Sequence, residues 1–479
     1  KTALSPSNSS GIAPALTRVA TGERTSRNDG VESDIHRAMM QLIEKSKRFI
    51  YLESQFFVSA FGQPSVPQLA ELTGAAKVIQ ESSEMGDATL WAIRKYDSDE
   101  GPALEGGPRN AICEALIKRI QKAILDLDKP KFHVYITLPV HPEGSLLDAT
   151  VAVQVHWTMQ SLCFGTHSLL NGIRRAIRAV QLREAKDENW RTPLDADEPP
   201  DPKVVPFSAC DEYVSLLNLR NWAQLGDRVV SEQVYVHTKL LIVDDLYALL
   251  GSANVNDRSL LGMRDSELAV LVVDQAQRAD INGKGSNQPV RKFAHELRKA
   301  VWRKLFGLTG GVRPATELEQ AVEHPGMPDS RRLVQRRARA NAALYEAAFD
   351  WVPRNVPAHG ATEEQEYASV LPTWKVPAKG EPPSVRAALA SPLPYQAQFW
   401  EGEAKNATAA QQLAQVKGFI TALPIDWTRG ENNRIRFPTS LVAEKDGDDR
   451  PTNLPPGAEH PTVLAGVDGP QPPKQTGQA

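Results

Sequence analysis

The stretch that most restricts how this chain can fold is residues 232 to 251, EQVYVHTKLLIVDDLYALLG. From Gln233 the run alternates polar and apolar, becomes wholly apolar through Val243, breaks at Asp244-Asp245, and resumes as a second apolar run from Leu246 to Leu250. Two short apolar runs around a polar dipeptide predict a β-hairpin turning at the two aspartates. Residues two apart on a strand share a face, so His237 and Lys239 point one way while Val236 and Thr238 point the other. An imidazole and an ammonium are thereby set side by side, and that pairing suits a phosphate ester. Neutral imidazole attacks phosphorus or carries a proton near neutral pH, and a lysine neutralises a non-bridging oxygen. Asn254, in G-S-A-N just past the second strand, adds a directional N–H donor without adding charge.

The spacing H-x-K-x4-D of His237, Lys239 and Asp244 arises by chance about 0.03 times in a chain of this composition. The words that follow, G-S-A-N and R-D-S-E, make accident harder still. Taken together, V-H-T-K-L-L-I-V-D-D and G-S-A-N-V-N-D-R-S-L-L-G-M-R-D-S-E resemble the second catalytic motif of the phospholipase D superfamily, in its eukaryotic type. The resemblance implies two such motifs meeting at a pseudo-twofold interface, one histidine forming a phosphohistidine and the other acting as general acid and then base. No metal or cofactor is implied. It further implies that His237 is the second-motif histidine, that Lys239 and Asn254 bind the phosphate, and that Glu267 orients the histidine of the first motif. Ser252 is expected near the site, and Asp244 is expected to act mainly by holding the turn.

Other stretches carry the same resemblance in the same order. R-F-I-Y-L-E-S-Q-F-F is similar to the I-Y-I-E-N-Q-F-F element of the family, with Ser54 where an asparagine is usual, and places Glu53 and Gln55 near the site. L-P-V-H-P-E-G is similar to L-P-x-H-P-E, with His141 read as a loop histidine. Leu413 to Trp427 resembles the C-terminal strand of eukaryotic-type phospholipases D. Helical patterns at 33–47, 110–127, 146–184 and 290–306 alternate with strand patterns, so the fold class is α/β: a layered mixed sheet flanked by helices. The resemblance makes this the second lobe of a bilobal fold, followed by a proline-rich C-terminal extension. Residues 1–30 read as a flexible leader or inter-motif linker, 31–309 as the catalytic lobe, and 310–479 as an extension wrapping it. Residues 62–108 read as a surface insertion. The arginines 174, 175, 178 and 183 read as a solvated face, as do those of 331–339, for which attraction to anionic lipid is the second reading.

A net charge of −3 offers no basic footprint for nucleic acid, which weighs against a nuclease. Cys113, Cys163 and Cys210 are far apart and odd in number, as for free buried thiols. No apolar run approaches the roughly 18 residues of a membrane span. Only one H-x-K-x4-D occurs, and a phosphohistidine route needs a nucleophile and a proton donor on opposite sides of phosphorus. The expectation is therefore a C-terminal half completed by a separate N-terminal piece bearing the first motif. The chain is expected to work peripherally on phospholipid membranes and not on nucleic acid. A bacterial type VI secretion lipase effector, acting in the target-cell periplasm or a host cell and met by an immunity or regulatory protein, is the biological setting expected. A phosphodiester nuclease and a non-catalytic membrane-binding module are the alternatives.

Overall fold

Successive residues of Phe49–Glu53 face opposite sides of one sheet, and all five are buried. A strand buried on both faces demands a helical layer on each. The computed structural model, which describes residues 33–62, 108–126, 132–143, 154–155, 157–262, 265–309, 316–349, 352–355, 408–425 and 427, supplies both layers. Its elements in chain order are α1 (Asp34–Lys45), β1 (Phe49–Glu53), α2 (Ile112–Leu125), β2 (His133–Thr137), α3 (Leu169–Glu184), β3 (Val214–Leu225), β4 (Arg228–Gln233), β5 (Leu240–Val243) and β6 (Tyr247–Gly251). There follow α4 (Asp257–Leu260), β7 (Ala269–Val272), β8 (Ala276–Ala279), β9 (Gln288–Arg291), α5 (Lys292–Leu305), α6 (Thr316–Glu323), α7 (Pro328–Ala348), α8 (Ala409–Leu413) and β10 (Ile420–Ala422).

The main sheet runs β10-β3-β2-β1-β5-β6-β7, with β4 paired to the far end of β3. Strands β1, β2 and β3 are parallel, while β5, β6, β7 and β10 run antiparallel to their neighbours. Ile50, Leu52, Val134, Ile136, Leu241 and Val243 pack toward α1, α2 and α3, through Met39, Leu42, Leu116 and Ile173. The alternate residues, Phe49, Tyr51, Tyr135, Leu240 and Ile242, pack on Trp302 of α5, Val322 of α6 and Val334 of α7. This mixed α/β layering is the fold class the sequence predicts. A separate hairpin, β8 with β9, lies off the sheet.

Residues beyond 310 enter these layers directly. Helix α7 contributes Val334 and Ala338 to the core, and β10 pairs with β3 at Ile420↔Leu219. The expected leader 1–30, nearly all of the expected insertion 62–108, and most of the proline-rich stretch 350–394 lie outside the described residues.

Three local expectations are corrected. Arg174 and Arg175 are 1% and 2% exposed, not a solvated face. Arg174 donates to Val205 O (2.7 Å) and to Asn171 Oδ1 (2.6 Å), while Arg175 donates to Thr166 O (2.6 Å) and Asp197 O (2.7 Å). A guanidinium presents five N–H groups, enough to pin loop carbonyls against α3. Arg331 likewise turns inward, to Glu212 (2.8 Å). Finally, the run from Glu267 to Val273 reads from sequence as a buried strand, whereas β7 is a half-covered edge strand with Val270 53% exposed, because no strand among the described residues pairs with its outer side.

Candidate active site

The expected hairpin is present, but its first strand starts at Leu240 rather than Gln233. The cause lies in the strand order. Strand β4 ends at Gln233 while still paired to Arg220 of β3, whereas β5 pairs with β1, and β2 lies between. Residues 234–239 must therefore cross the ends of β2 and β1 to reach β5. These are the carboxyl ends of parallel strands, where open α/β sheets collect ligand-binding groups.

The crossing segment keeps the alternation of an extended chain. Val236 is buried, and the residues at 233, 235, 237 and 239 line the opposite face. Gln233 donates to the His141 carbonyl (3.2 Å) and lies 3.1 Å from the ring Nε2 of that histidine. The His141 tautomer that donates from Nδ1 to Pro142 O (2.8 Å) leaves Nε2 free to accept from Gln233. Burial pushes the His141 imidazole below its ordinary pKa, so it serves as a neutral loop histidine. The Tyr235 hydroxyl accepts from Gln55 Nε2, and the Tyr235 ring stacks beside that of His237 with centroids 5.8 Å apart and planes at 26°. Lys239 donates to Gln55 Oε1 (3.2 Å) and to the His237 carbonyl (2.6 Å).

Lys239 is thus held by two neutral acceptors, which leaves one of its three N–H groups for a ligand oxygen. Burial draws the Lys239 ammonium below its ordinary pKa, and the charge of Glu267 works against that shift. Glu267 accepts from Ser252 Oγ, which in turn accepts from Leu268 N (3.0 Å). Asn254 is half-buried, and its Oδ1 has no hydrogen-bond partner among the described residues. Its loop is drawn to the end of β1 by Val58 N donating to Val255 O (2.8 Å) and by Val255 N donating to Ser54 Oγ (3.3 Å). A serine hydroxyl therefore occupies the place where the family usually has asparagine, and it anchors the loop bearing Asn254. The ends of β1 and β6 and the starts of β5 and β7 thus gather Gln55, His237, Lys239, Ser252, Asn254 and Glu267 at one margin of the sheet.

Two expected site residues act from below that margin. Asp244 is buried and accepts from the backbone N–H groups of Lys47 (2.7 Å), Arg48 (2.7 Å) and Phe49 (2.9 Å), so it fixes the entry to β1 rather than meeting a substrate. Burial raises its carboxyl pKa, and those three N–H groups oppose the rise. Glu53 is 6% exposed and bonds Tyr51 and Thr238, so it braces the crossing segment from the core side. Burial is the main reason that its pKa is raised.

Sequence reasoning passed over Tyr235, although the alternation that pairs His237 with Lys239 includes it. It also passed over Asp245. That residue is fully buried and accepts from Arg298 Nη2 (2.7 Å) and Nε (2.9 Å), with His295 Nδ1 at 2.8 Å. Both turn aspartates have left-handed φ, 55° and 54°, a conformation aspartate tolerates better than most side chains. Arg258 and Asp265 form a surface ion pair (3.2 Å).

A model of the phospholipase D family matches residues 9–359, well over half of the chain. The chain belongs to the phospholipase D family. Among its relatives, phospholipase D B of Dictyostelium discoideum is 28% identical over 319 residues, covering 67% of this chain and 20% of that protein. Phospholipase D zeta 1 of Arabidopsis thaliana is 27% identical over 414 residues, covering 85% of this chain and 30% of the relative. Phospholipase D2 of Bos taurus is 29% identical over 364 residues, covering 75% and 30% respectively. The chain thus spans less than a third of the length of these phospholipases D.

In a phospholipase D site built this way, Lys239→Met is expected to lower kcat by about 10²- to 10³-fold, the cost of removing one group that stabilises charge at phosphorus. Lys239→Arg is expected to recover little, because a planar guanidinium does not replace a point charge seated between Gln55 and a carbonyl. Phosphodiesterase turnover measures both, and Lys239→Met activity within threefold of wild type would remove Lys239 from the site.

Proposed function

We propose that this chain is the second-motif lobe of a phospholipase D that hydrolyses the headgroup ester of glycerophospholipids to phosphatidic acid, with the first H-x-K-x4-D supplied by a separate polypeptide piece. The observation that carries the reading is the state of His237. Its imidazole is exposed, and neither ring nitrogen has a hydrogen-bond partner among the described residues, while Glu267 at the same margin is engaged with Ser252. A catalytic histidine needs a third group to orient it. A histidine with no hydrogen-bonded orienting group, at one margin with a carboxylate engaged elsewhere, is what each half of a reciprocal pair would present.

In this mechanism the histidine of the other motif attacks phosphorus from one side. The P–O bond to the leaving alcohol breaks with its electron pair going to oxygen, and that oxygen takes the proton from His237. Neutral His237 then takes a proton from water as the water oxygen attacks phosphorus and frees the first histidine. Lys239 and Asn254 hold the non-bridging oxygens through both steps. Two displacements give retention at phosphorus, and a primary alcohol replacing water gives the transfer product.

The lobe would act at a membrane surface as a peripheral protein, and no helix among the described residues is long and apolar enough to cross a membrane. Delivery as a bacterial type VI secretion effector, with a cognate immunity or regulatory protein, belongs to the same reading and draws on the family resemblance alone.

The test begins with intact mass under denaturing conditions on purified material, looking for a second polypeptide bearing H-x-K-x4-D. The complex is then assayed for choline or ethanolamine release and for phosphatidic acid formation on phospholipid vesicles. Release dependent on both pieces is the expected result. Full turnover by the lone monomer would overturn the two-piece reading, and cleavage of single-stranded nucleic acid without headgroup release would replace the lipid substrate.

A further inference from the structure

We propose that Tyr235, held at its hydroxyl by Gln55, is the positioning residue that sets the plane of the His237 imidazole. This rests on His237 being the proton donor of the preceding section. An exposed side chain exchanges rotamers within picoseconds to nanoseconds, and a proton donor that wanders by an ångström loses about 10²-fold in rate. No hydrogen bond within the described residues restrains the His237 ring, and the aromatic contact recorded for it is the stacked Tyr235 ring at 5.8 Å and 26°.

Tyr235 is itself well restrained. Its hydroxyl accepts from Gln55 Nε2, while Gln55 Oε1 accepts from Lys239 Nζ (3.2 Å). Both ends of the Gln55 amide are therefore committed, and its orientation is fixed by two different partners. Lys239 closes the circuit by donating to the backbone carbonyl of His237 (2.6 Å). One amide thus sets the spacing between the ring that faces the imidazole and the ammonium that meets phosphate. Gln55 is placed for this by the end of β1, where Ser54 is tied on one side to Thr137 O (3.3 Å) and on the other to Val255 N (3.3 Å).

The test uses the full chain with 13C-labelled histidine, alone for NMR and completed with the first-motif piece for kinetics. His237 resonances are assigned by their loss in His237→Asn. Tyr235→Leu removes the ring, and Tyr235→Phe removes only the hydroxyl. In Tyr235→Leu the His237 ring protons are expected to move downfield, out of the Tyr235 ring current. In the same variant kcat should fall about 10- to 100-fold with KM within about twofold, because a positioning loss acts in the transition state. Tyr235→Phe is expected to keep the resonance positions and to lose about fivefold in kcat, the scale of losing the hydroxyl's hydrogen bonds to Gln55 and the Glu143 backbone.

Unchanged His237 resonances in Tyr235→Leu, or unchanged kcat in an active complex, overturns the proposal. If the wild-type complex itself turns over no lipid, the functional reading fails, and the NMR comparison on the chain alone still decides whether Tyr235 holds the ring.

Discussion

His237→Asn in the completed enzyme is expected to reduce headgroup release by about 10³- to 10⁴-fold, the scale of removing an acid–base group from its reaction. The same variant is expected to melt within about 1 °C of wild type. The His237 ring is exposed and makes no hydrogen bond within the described residues, and surface substitutions of that kind stay within about 0.5 kcal/mol. The two readouts together carry the meaning, since a loss of rate without a loss of stability cannot be ascribed to unfolding. A variant that keeps a tenth of the wild-type rate would exclude His237 as proton donor, and only a variant indistinguishable from wild type would favour a membrane-binding module.

The largest expected effect on stability comes from Arg298→Met. Arg298 and Asp245 are both fully buried, and their ion pair spans 2.7 Å from the hairpin turn to α5. Removing the cation leaves a carboxylate with only His295 beside it, at a cost of about 3–5 kcal/mol. In a domain of this size that lowers the thermal midpoint on the order of 10 °C. The pH dependence follows from the sign of the shift. Burial alone would raise the Asp245 carboxyl pKa, but the Arg298 charge and the hydrogen bonds of His295 and Arg298 outweigh it and hold the group below its ordinary value. A depressed carboxyl adds stability above its unfolded pKa of about 3.9 and loses it as pH falls through the folded value. Wild type and Arg298→Met should therefore differ fully at pH 7 and converge below about pH 4 in a melting series. A gap that stays constant with pH would show that the arginine acts through packing alone.

Much of this was legible in the chain because the informative signals are local. The hairpin turn, the common face of His237 and Lys239, and the alternation of helices with strands each follow from a few consecutive residues. The long-range choices were not legible. The pairing of Arg228–Gln233 with β3 is not among them: it is a local hairpin turning at Gly226-Asp227, a signal that the sequence reading passed over. Arg174 and Arg175 resemble any charged helix face, since the Val205 and Asp197 carbonyls that receive them lie 31 and 22 residues further on. For the site itself, residue types and spacing brought together Gln55, His237, Lys239, Ser252, Asn254 and Glu267. They marked Asp244 as the residue that holds the turn, but left Glu53 as open to the substrate as to the scaffold, a distinction made only by burial.

The turn at Asp244 and Asp245 also bears on how the molecule opens. One carboxylate grips the backbone that enters β1, and its neighbour grips α5 against the sheet, so this turn rivets the hairpin both to its neighbouring strand and to a helix. Strands leading from such a rivet cannot fray without releasing both sides. Amide protons of β5 and β6 should therefore exchange with solvent only in the same slow event that frees α5, while the crossing segment 234–239, which lies outside the strand ladder, exchanges ahead of them. The margin that carries His237 and Lys239 would then breathe on a floor that does not loosen beneath it.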